Sequence, residues 1–448
     1  MTEILTKSHE YMVIERSPQL QGEMTLEGAK NAVLVIMASL ILAPGKSVIT
    51  NVPVSSDVFQ MITLLQDLGA FVSFDKEAKR LEIDTTAMQS VAVGAEIMQK
   101  MRASILVMGP LLARFGSASV ALPGGCLLGA RPIDFHLRAF AKMGTKIEVV
   151  GEFLQAQAPK LQAQKFILEY PSVGATENIM MAAALTAGTT TIINAAIEPE
   201  VLDLIDVLRK MGASIEITPP GTLEIVGCSS LRPIEHAIMP DRLEAGTLLL
   251  AAAVTGGSIV IPDAPIAYME VFLEKLSEMG HAITLDPSGV GVSLQATHTP
   301  RAVSFKTMPY PGFPTDLQAP MMVAQCLASG TSTIYETVFE NRLVHVRELQ
   351  KMGAHIVTDG PLIATVKGVD GLYGAQVIAP DIRASAALVI AGLVAQGQTI
   401  MTGLHHFRRG YTKLDEKLQA LGARIAIVSE ASVQADLIPV RSYHQKVQ

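Results

Sequence analysis

Tryptophan is absent from this chain, and aromatic residues make up only 5% of its 448 residues. With hydrophobic residues at 49%, the core must be built from Ala, Val, Ile, Leu and Met, which suits helices packed closely on sheets. Cysteine is almost as scarce. Cys126, Cys228 and Cys326 lie far apart and lack metal-ligand spacing, which excludes a disulfide framework and fits a reducing compartment. Positive charge is also short. A formal charge of −7 leaves no general basic face for nucleic acid. Long apolar runs are missing as well: Ala32 to Ala43 falls below the roughly 18 residues that would read as a membrane span. The N-terminus shows no apolar core of a secretory signal. These absences give an expectation of a soluble, cytoplasmic monomer with no membrane or nucleic-acid partner, no metal and no cofactor. No GxGxxG follows a strand, so an α/β reading is not of the dinucleotide-binding kind.

What is present is a repeat. The phrases LLQDLGAFVSF, AFAKMGTKIEV, VLRKMGASIEI, KLSEMGHAITL, ELQKMGAHIVT and KLQALGARIAI recur about every 70 residues. Each is an amphipathic helix, a glycine cap and an alternating strand, and the caps are Gly69, Gly144, Gly212, Gly280, Gly353 and Gly422. Some 25 residues ahead of each stands an apolar helix followed by Gly and a β-branched strand, as in AAALTAGTTTII and AAAVTGGSIVI. These helices are apolar around most of their circumference and should be buried. The copy GPLLARFGSASVAL is the least regular. Each unit therefore reads as buried helix, strand, exposed helix, strand and hairpin. At this length two domains of three units are expected, with a six-unit solenoid as the competing architecture.

The buried helices open on charges: Lys30, Arg102, Glu177, Arg242, Asp316 and Arg383 stand at or near their N-terminal ends. A cation at a helix start is unfavourable by about 0.3–1 kcal/mol unless an anion is bound there. The set therefore points to a polyanionic ligand, and the competing reading is pairing with Asp241, Glu244 and Asp381.

At this point the motifs become specific. GAKNAVL at 28–34, LPGGCLLGARPIDFH at 122–136, PSVGATENIM at 171–180, PDRLEAGT at 240–247, FPTDLQA at 313–319, ETVFENRLVHV at 336–346 and DIRASAALV at 381–389 resemble the UDP-N-acetylglucosamine enolpyruvyl transferases, or 1-carboxyvinyltransferases. The resemblance runs from about residue 18 to about residue 427.

It implies a two-domain inside-out α/β barrel of six βαβαββ repeats. Residues 1–29 with 239–448 would form one domain and 30–238 the other, with the site between them. It also implies transfer of the enolpyruvyl unit of phosphoenolpyruvate to the sugar 3-hydroxyl, at the first committed step of peptidoglycan synthesis, by an enzyme open to alkylation by epoxide phosphonates such as fosfomycin.

By the same resemblance Cys126 is the catalytic thiol, which acts as proton donor and can form a thioether-type adduct with phosphoenolpyruvate, and nearby cations such as Arg131 favour a thiolate and a mobile nucleophile. Asp316 is the base for the sugar hydroxyl, although a carboxylate there also reads as a cap. Lys30 and Asn31 hold phosphoenolpyruvate, while Arg131, Arg342, Arg383 and Arg409 clamp its charges with planar guanidiniums. Arg102 contacts the nucleotide sugar. Pro132, Ile133, Asp134 and Phe135 frame the uracil, Ser172, Val173 and Gly174 approach the diphosphate, and Val338 meets the acetamido group. His136 reads equally as a core or a functional histidine, and Cys228 and Cys326 as apolar filler. Val54, Ser56, Tyr170 and Arg408 depart from the family pattern. The sister enzyme acting on shikimate 3-phosphate is disfavoured by EGAKNAV and the cysteine loop, and a non-catalytic sugar-nucleotide binder by the presence of both Cys126 and Asp316.

Overall fold

The computed structural model describes residues 10–93, 102–121 and 133–429, with Arg102 to Ser104 described in backbone only. The repeat is visible in its sheets. Lys165–Ile167 runs parallel to Thr189–Ile193, which pairs antiparallel with Thr222–Val226, and Ser214–Thr218 closes the hairpin. The helix Val173–Ala184 joins the first two strands, and Pro199–Met211 leads from the second into the hairpin. That is one βαβαββ unit.

Among the described residues, five sheets have four strands in this arrangement. A sixth has three, Ser117–Ala121, Phe153–Gln157 and Lys146–Val150, with a parallel bridge between Ala92 and Ser119 beside them.

Side-chain alternation explains the layers. In Thr222–Val226, Leu223 and Ile225 face inward while Glu224 and Val226 face water, so one side of the sheet rests on helices. The outer helix Pro199–Met211 buries Val201, Leu204, Ile205, Leu208 and Met211, a single stripe. The inner helices are enclosed on all sides, and in Ile382–Val394 every residue from Arg383 to Leu393 is buried. All six repeat glycines have φ between +90° and +113°, the left-handed conformation that lets each outer helix turn into its strand. The irregular second copy has a physical cause. Pro110 lacks an N–H and Gly109 lies against Asn178, so this helix begins as a 3-10 turn over Arg102–Val107 and becomes α-helical only over Met108–Phe115.

Two hydrophobic cores result. One gathers residues between 29 and 238 around the helices Lys30–Ser39, Met108–Phe115 and Val173–Ala184. The other gathers residues 12–26 and 243–425 around Arg242–Thr255, Gln318–Cys326 and Ile382–Val394.

Distant segments complete three sheets, which a solenoid would not do. Glu10–Glu15 lies between Gln398–Thr402 and Arg424–Ser429, Gln21–Glu23 pairs with Ser258–Ile261, and Glu235–Ala237 pairs with Lys46–Thr50. The chain passes between the cores twice, and the two crossings lie side by side. Ala29 N–H donates to the Met239 carbonyl at 2.8 Å, and Asp241 N–H to the Glu27 carbonyl at 2.9 Å. A Cβ on Gly28 would stand 1.8 Å from the Asn51 carbonyl oxygen, so only glycine permits this approach.

Candidate active site

The starts of the inner helices carry the charges, and the structure pairs them. Asp316 lies in the 3-10 turn Thr315–Leu317 that opens the helix Gln318–Cys326. Arg342 Nη2 donates to its Oδ1 and Arg383 Nη2 to its Oδ2, both at 2.9 Å. Both arginines are buried, and Arg342 Nε and Arg383 Nη1 are enclosed donors with no acceptor among the described residues. Burial alone would lower the Arg383 pKa, but Asp316, Tyr411 and Asp241 raise it above the ordinary arginine value. Its guanidinium also lies 5.3 Å from the Tyr411 ring.

Glu336 orders the neighbouring loop. Its carboxylate accepts from the Thr315 hydroxyl at 3.0 and 3.1 Å and from the N–H groups of Val338 and Phe339 at 2.8 and 3.0 Å. Val338 is half-buried beside this turn.

Lys30 opens its helix without a side-chain cap, and Asn31 beside it is exposed. Lys30 Nζ donates to Asp57 Oδ2 at 3.0 Å, and Arg409 Nε donates to Asp57 Oδ1 at 3.0 Å. Burial would raise the Asp57 carboxyl, yet the charges of Lys30 and Arg409 outweigh it and hold it below the usual carboxylate value. Arg409 belongs to the helix Leu404–Gly410, which packs on the start of Ile382–Val394 where Gly410 meets Ile382. The two groups of charges are thus linked through one packed element.

Arg242 belongs to neither group. Its Nε and Nη2 donate to Glu200 at 3.1 and 3.2 Å, across the two cores. Glu198 accepts from the Tyr310 N–H at 3.3 Å. Burial first, then Glu200 and Glu198, raises the Glu177 carboxyl well above its ordinary value. Tyr170 joins this seam, its hydroxyl pushed up to about 12 by burial and by Glu198 and Glu336.

Pairing with Asp241, Glu244 and Asp381 is not what occurs. Asp241 and Asp381 cap their helices by accepting backbone N–H groups, and Glu244 accepts from Lys417 at 2.8 Å. The partner carboxylates are Asp57, Glu200 and Asp316, all distant in sequence from the cations they meet.

On the first core, Ser172 caps Val173–Ala184 by accepting from the Ala175 N–H at 3.4 Å, and leaves Val173 exposed. A Cβ on Gly174 would meet the His136 ring at 3.3 Å. His136 itself is a core residue: its Nδ1 accepts from Asn178 Nδ2 at 3.0 Å, and burial lowers its pKa to about 4.

Ile133 packs against this core, and Phe135 lies 4.8 Å from the Arg138 guanidinium. Asp134 pairs with Arg138 through Oδ2 at 2.6 Å, while its enclosed Oδ1 has no donor among the described residues. Cys126, Arg131, Pro132 and the Arg102 side chain lie outside the described residues.

Cys326 is fully buried, its thiol raised to about 12 by burial, and Cys228 donates to the Ala184 and Ser230 carbonyls. Val54 and Ser56 are half-buried, and Arg408 pairs with Glu10 at an exposed position.

Known proteins resemble this chain along most of its length. The family described as EPSP synthase (3-phosphoshikimate 1-carboxyvinyltransferase) matches residues 14–418. UDP-N-acetylglucosamine 1-carboxyvinyltransferase 1 of Caldanaerobacter subterraneus subsp. tengcongensis is 46% identical over 413 residues, 92% of this chain and 98% of that protein. UDP-N-acetylglucosamine 1-carboxyvinyltransferase of Dichelobacter nodosus is 45% identical over 422 residues, covering 94% of this chain and all of that one.

Among solved structures, the enolpyruvyl transferase NikO from Streptomyces tendae aligns with a TM-score of 0.86 at 24% identity, over 94% of this chain and 99% of its own. EPSP synthase from Acinetobacter baumannii aligns at 0.74 and 17% identity, over 94% of this chain and 100% of its own. Those two likenesses speak for the fold alone.

Proposed function

The chain belongs to the EPSP synthase family of enolpyruvyl transferases, and from that premise we propose that it transfers the enolpyruvyl group of phosphoenolpyruvate to the 3-hydroxyl of UDP-N-acetylglucosamine. Relatives covering nearly the whole chain at 44–46% identity carry that activity in their names. The observation that carries the site assignment is the carboxylate of Asp316 held between Arg342 and Arg383, each with a further enclosed N–H to offer an anion.

The reaction is addition followed by elimination. The sugar hydroxyl attacks C2 of phosphoenolpyruvate and gives its proton to Asp316, while C3 takes a proton from Cys126. The resulting tetrahedral intermediate returns a proton from C3 to the Cys126 thiolate and expels phosphate, leaving the enol ether. Both oxygens of Asp316 are engaged by guanidiniums. The donor's phosphate and carboxylate replace it at Arg342 and Arg383, which frees an oxygen for the hydroxyl proton. Lys30, Asn31, Arg131 and Arg409 complete the donor site and stabilise charge as phosphate leaves. The Oδ1 of Asp134, which has no donor among the described residues, suits the uracil N–H, with Pro132, Ile133 and Phe135 around the ring and Arg102 on the nucleotide sugar. Ser172, Val173 and Gly174 offer a helix start to the diphosphate, and Val338 receives the acetamido group.

Residues 1–29 with 239–448 act as one domain and 30–238 as the other, a division supported by the two separate cores. The setting is the cytoplasm, at the first committed step of peptidoglycan precursor synthesis.

An acceptor panel tests the reading. With phosphoenolpyruvate as donor, mass spectrometry should find the enolpyruvyl ether of UDP-N-acetylglucosamine and no product from shikimate 3-phosphate. The reverse pattern would assign the chain to the sister reaction.

A further inference from the structure

Asp57 has no part in the chemistry above, yet its side chain is only 4% exposed and each oxygen is committed to a different core. Oδ2 accepts from Lys30 Nζ and Oδ1 from Arg409 Nε, both at 3.0 Å, and Arg409 lies 352 residues along the chain.

Capping does not explain this. Asp57 sits in the first turn of the helix Ser56–Asp67, but Ser55 already caps it, accepting from the Val58 N–H at 3.4 Å. Nor does the carboxylate exhaust its partners. Arg409 uses only Nε, so both terminal nitrogens have no acceptor among the described residues, and Lys30 gives one of its three donors.

We infer that Asp57 is a positioning residue for the donor, holding Lys30 and Arg409, one from each core, as a single anion-binding pair. Each cation is anchored by one hydrogen bond and keeps the rest for phosphate or carboxylate. Seating of the donor and approach of the two cores then become one event, because the pair exists only while both cores contribute to it. The inference rests on the proposed transferase reaction.

The test is steady-state phosphate release by the full chain carrying Asp57→Asn, Arg409→Ala, or both. Asp57→Asn keeps the shape and removes the charge. It should raise KM for phosphoenolpyruvate about tenfold or more, the value of a charge-assisted hydrogen bond. KM for UDP-N-acetylglucosamine should stay within about threefold, well under one such bond. Adding Asp57→Asn to Arg409→Ala should cost far less than the product of the separate losses, since Asp57 acts partly through that arginine.

Partial unfolding lowers kcat and leaves both KM values alone, so the selective change is readable from a weakened variant. An unchanged KM for phosphoenolpyruvate, an equal rise for both substrates, or losses that multiply would each overturn the inference. A wild-type chain that releases no phosphate from the two substrates refutes the reaction itself, which is a separate failure.

Discussion

Arg383 reaches 67 residues back along the chain to place its Nη2 at 2.9 Å from Oδ2 of Asp316. Arg342 holds the other oxygen. The protein's own carboxylate occupies the guanidiniums that the proposed donor would claim, so a candidate base and its masking cations form one unit. Asp57 likewise lies between two cations, Lys30 and Arg409, and engages each through one oxygen. A cation at a helix start needs an anion, and at both places an acidic side chain supplies it.

Replacing Asp316 by Asn should therefore separate binding from chemistry. Turnover should fall by about 100-fold or more, the usual contribution of a positioned base. Calorimetric binding of UDP-N-acetylglucosamine should change little, because the amide keeps the shape of the side chain and its oxygen still accepts from one of the two arginines. Turnover within a few-fold of wild type would remove Asp316 from the chemistry.

The seam between the cores makes a stability prediction. Arg242 is the cation that answers Glu200, with Glu198 and Glu177 nearby. Arg242→Met fills the same space and leaves Glu200 buried without its partner. Urea unfolding should show a loss of about 3–5 kcal/mol. An unchanged midpoint would mean that the pair contributes nothing net.

His136 fixes a pH dependence. Burial, partly offset by Asp134, lowers its pKa from 6.5 to about 4 in the folded chain. The unfolded chain therefore binds the proton first, and the contribution is present above the unfolded value and lost as pH falls from about 6.5 towards 4. Within that window His136 should contribute a slope of about 1.4 kcal/mol per pH unit. Subtracting the pH profile of a His136→Asn variant isolates that slope from other groups, and equal slopes for the two proteins would contradict it.

The fold was legible because its instructions are local and repeated. Gly212 and its five counterparts mark one helix-to-strand turn six times, and the apolar helices announce their own burial by lacking a polar face. Lys30, Asp316 and Arg383 stood out for the opposite reason, as charges where an apolar helix starts.

Their partners did not stand out. Asp57 reads locally as an acid in a first helical turn, and Glu200 as one near the start of an outer helix. Only packing brings them to Lys30, Arg409 and Arg242. Glu336 was also missed, because its task of holding Thr315 and the Val338 turn depends on a loop folding back. That Oδ1 of Asp134 has no donor among the described residues likewise emerged only once Arg138 had taken the other oxygen.

The most direct measurement is inorganic phosphate liberated from phosphoenolpyruvate by the purified chain, with and without UDP-N-acetylglucosamine. Two anionic substrates drawing the cores together around Asp316 and Cys126 predict release only when both are present, with one enol ether formed per phosphate. Release that ignores the nucleotide sugar, or no release with both substrates at saturation, would contradict that account.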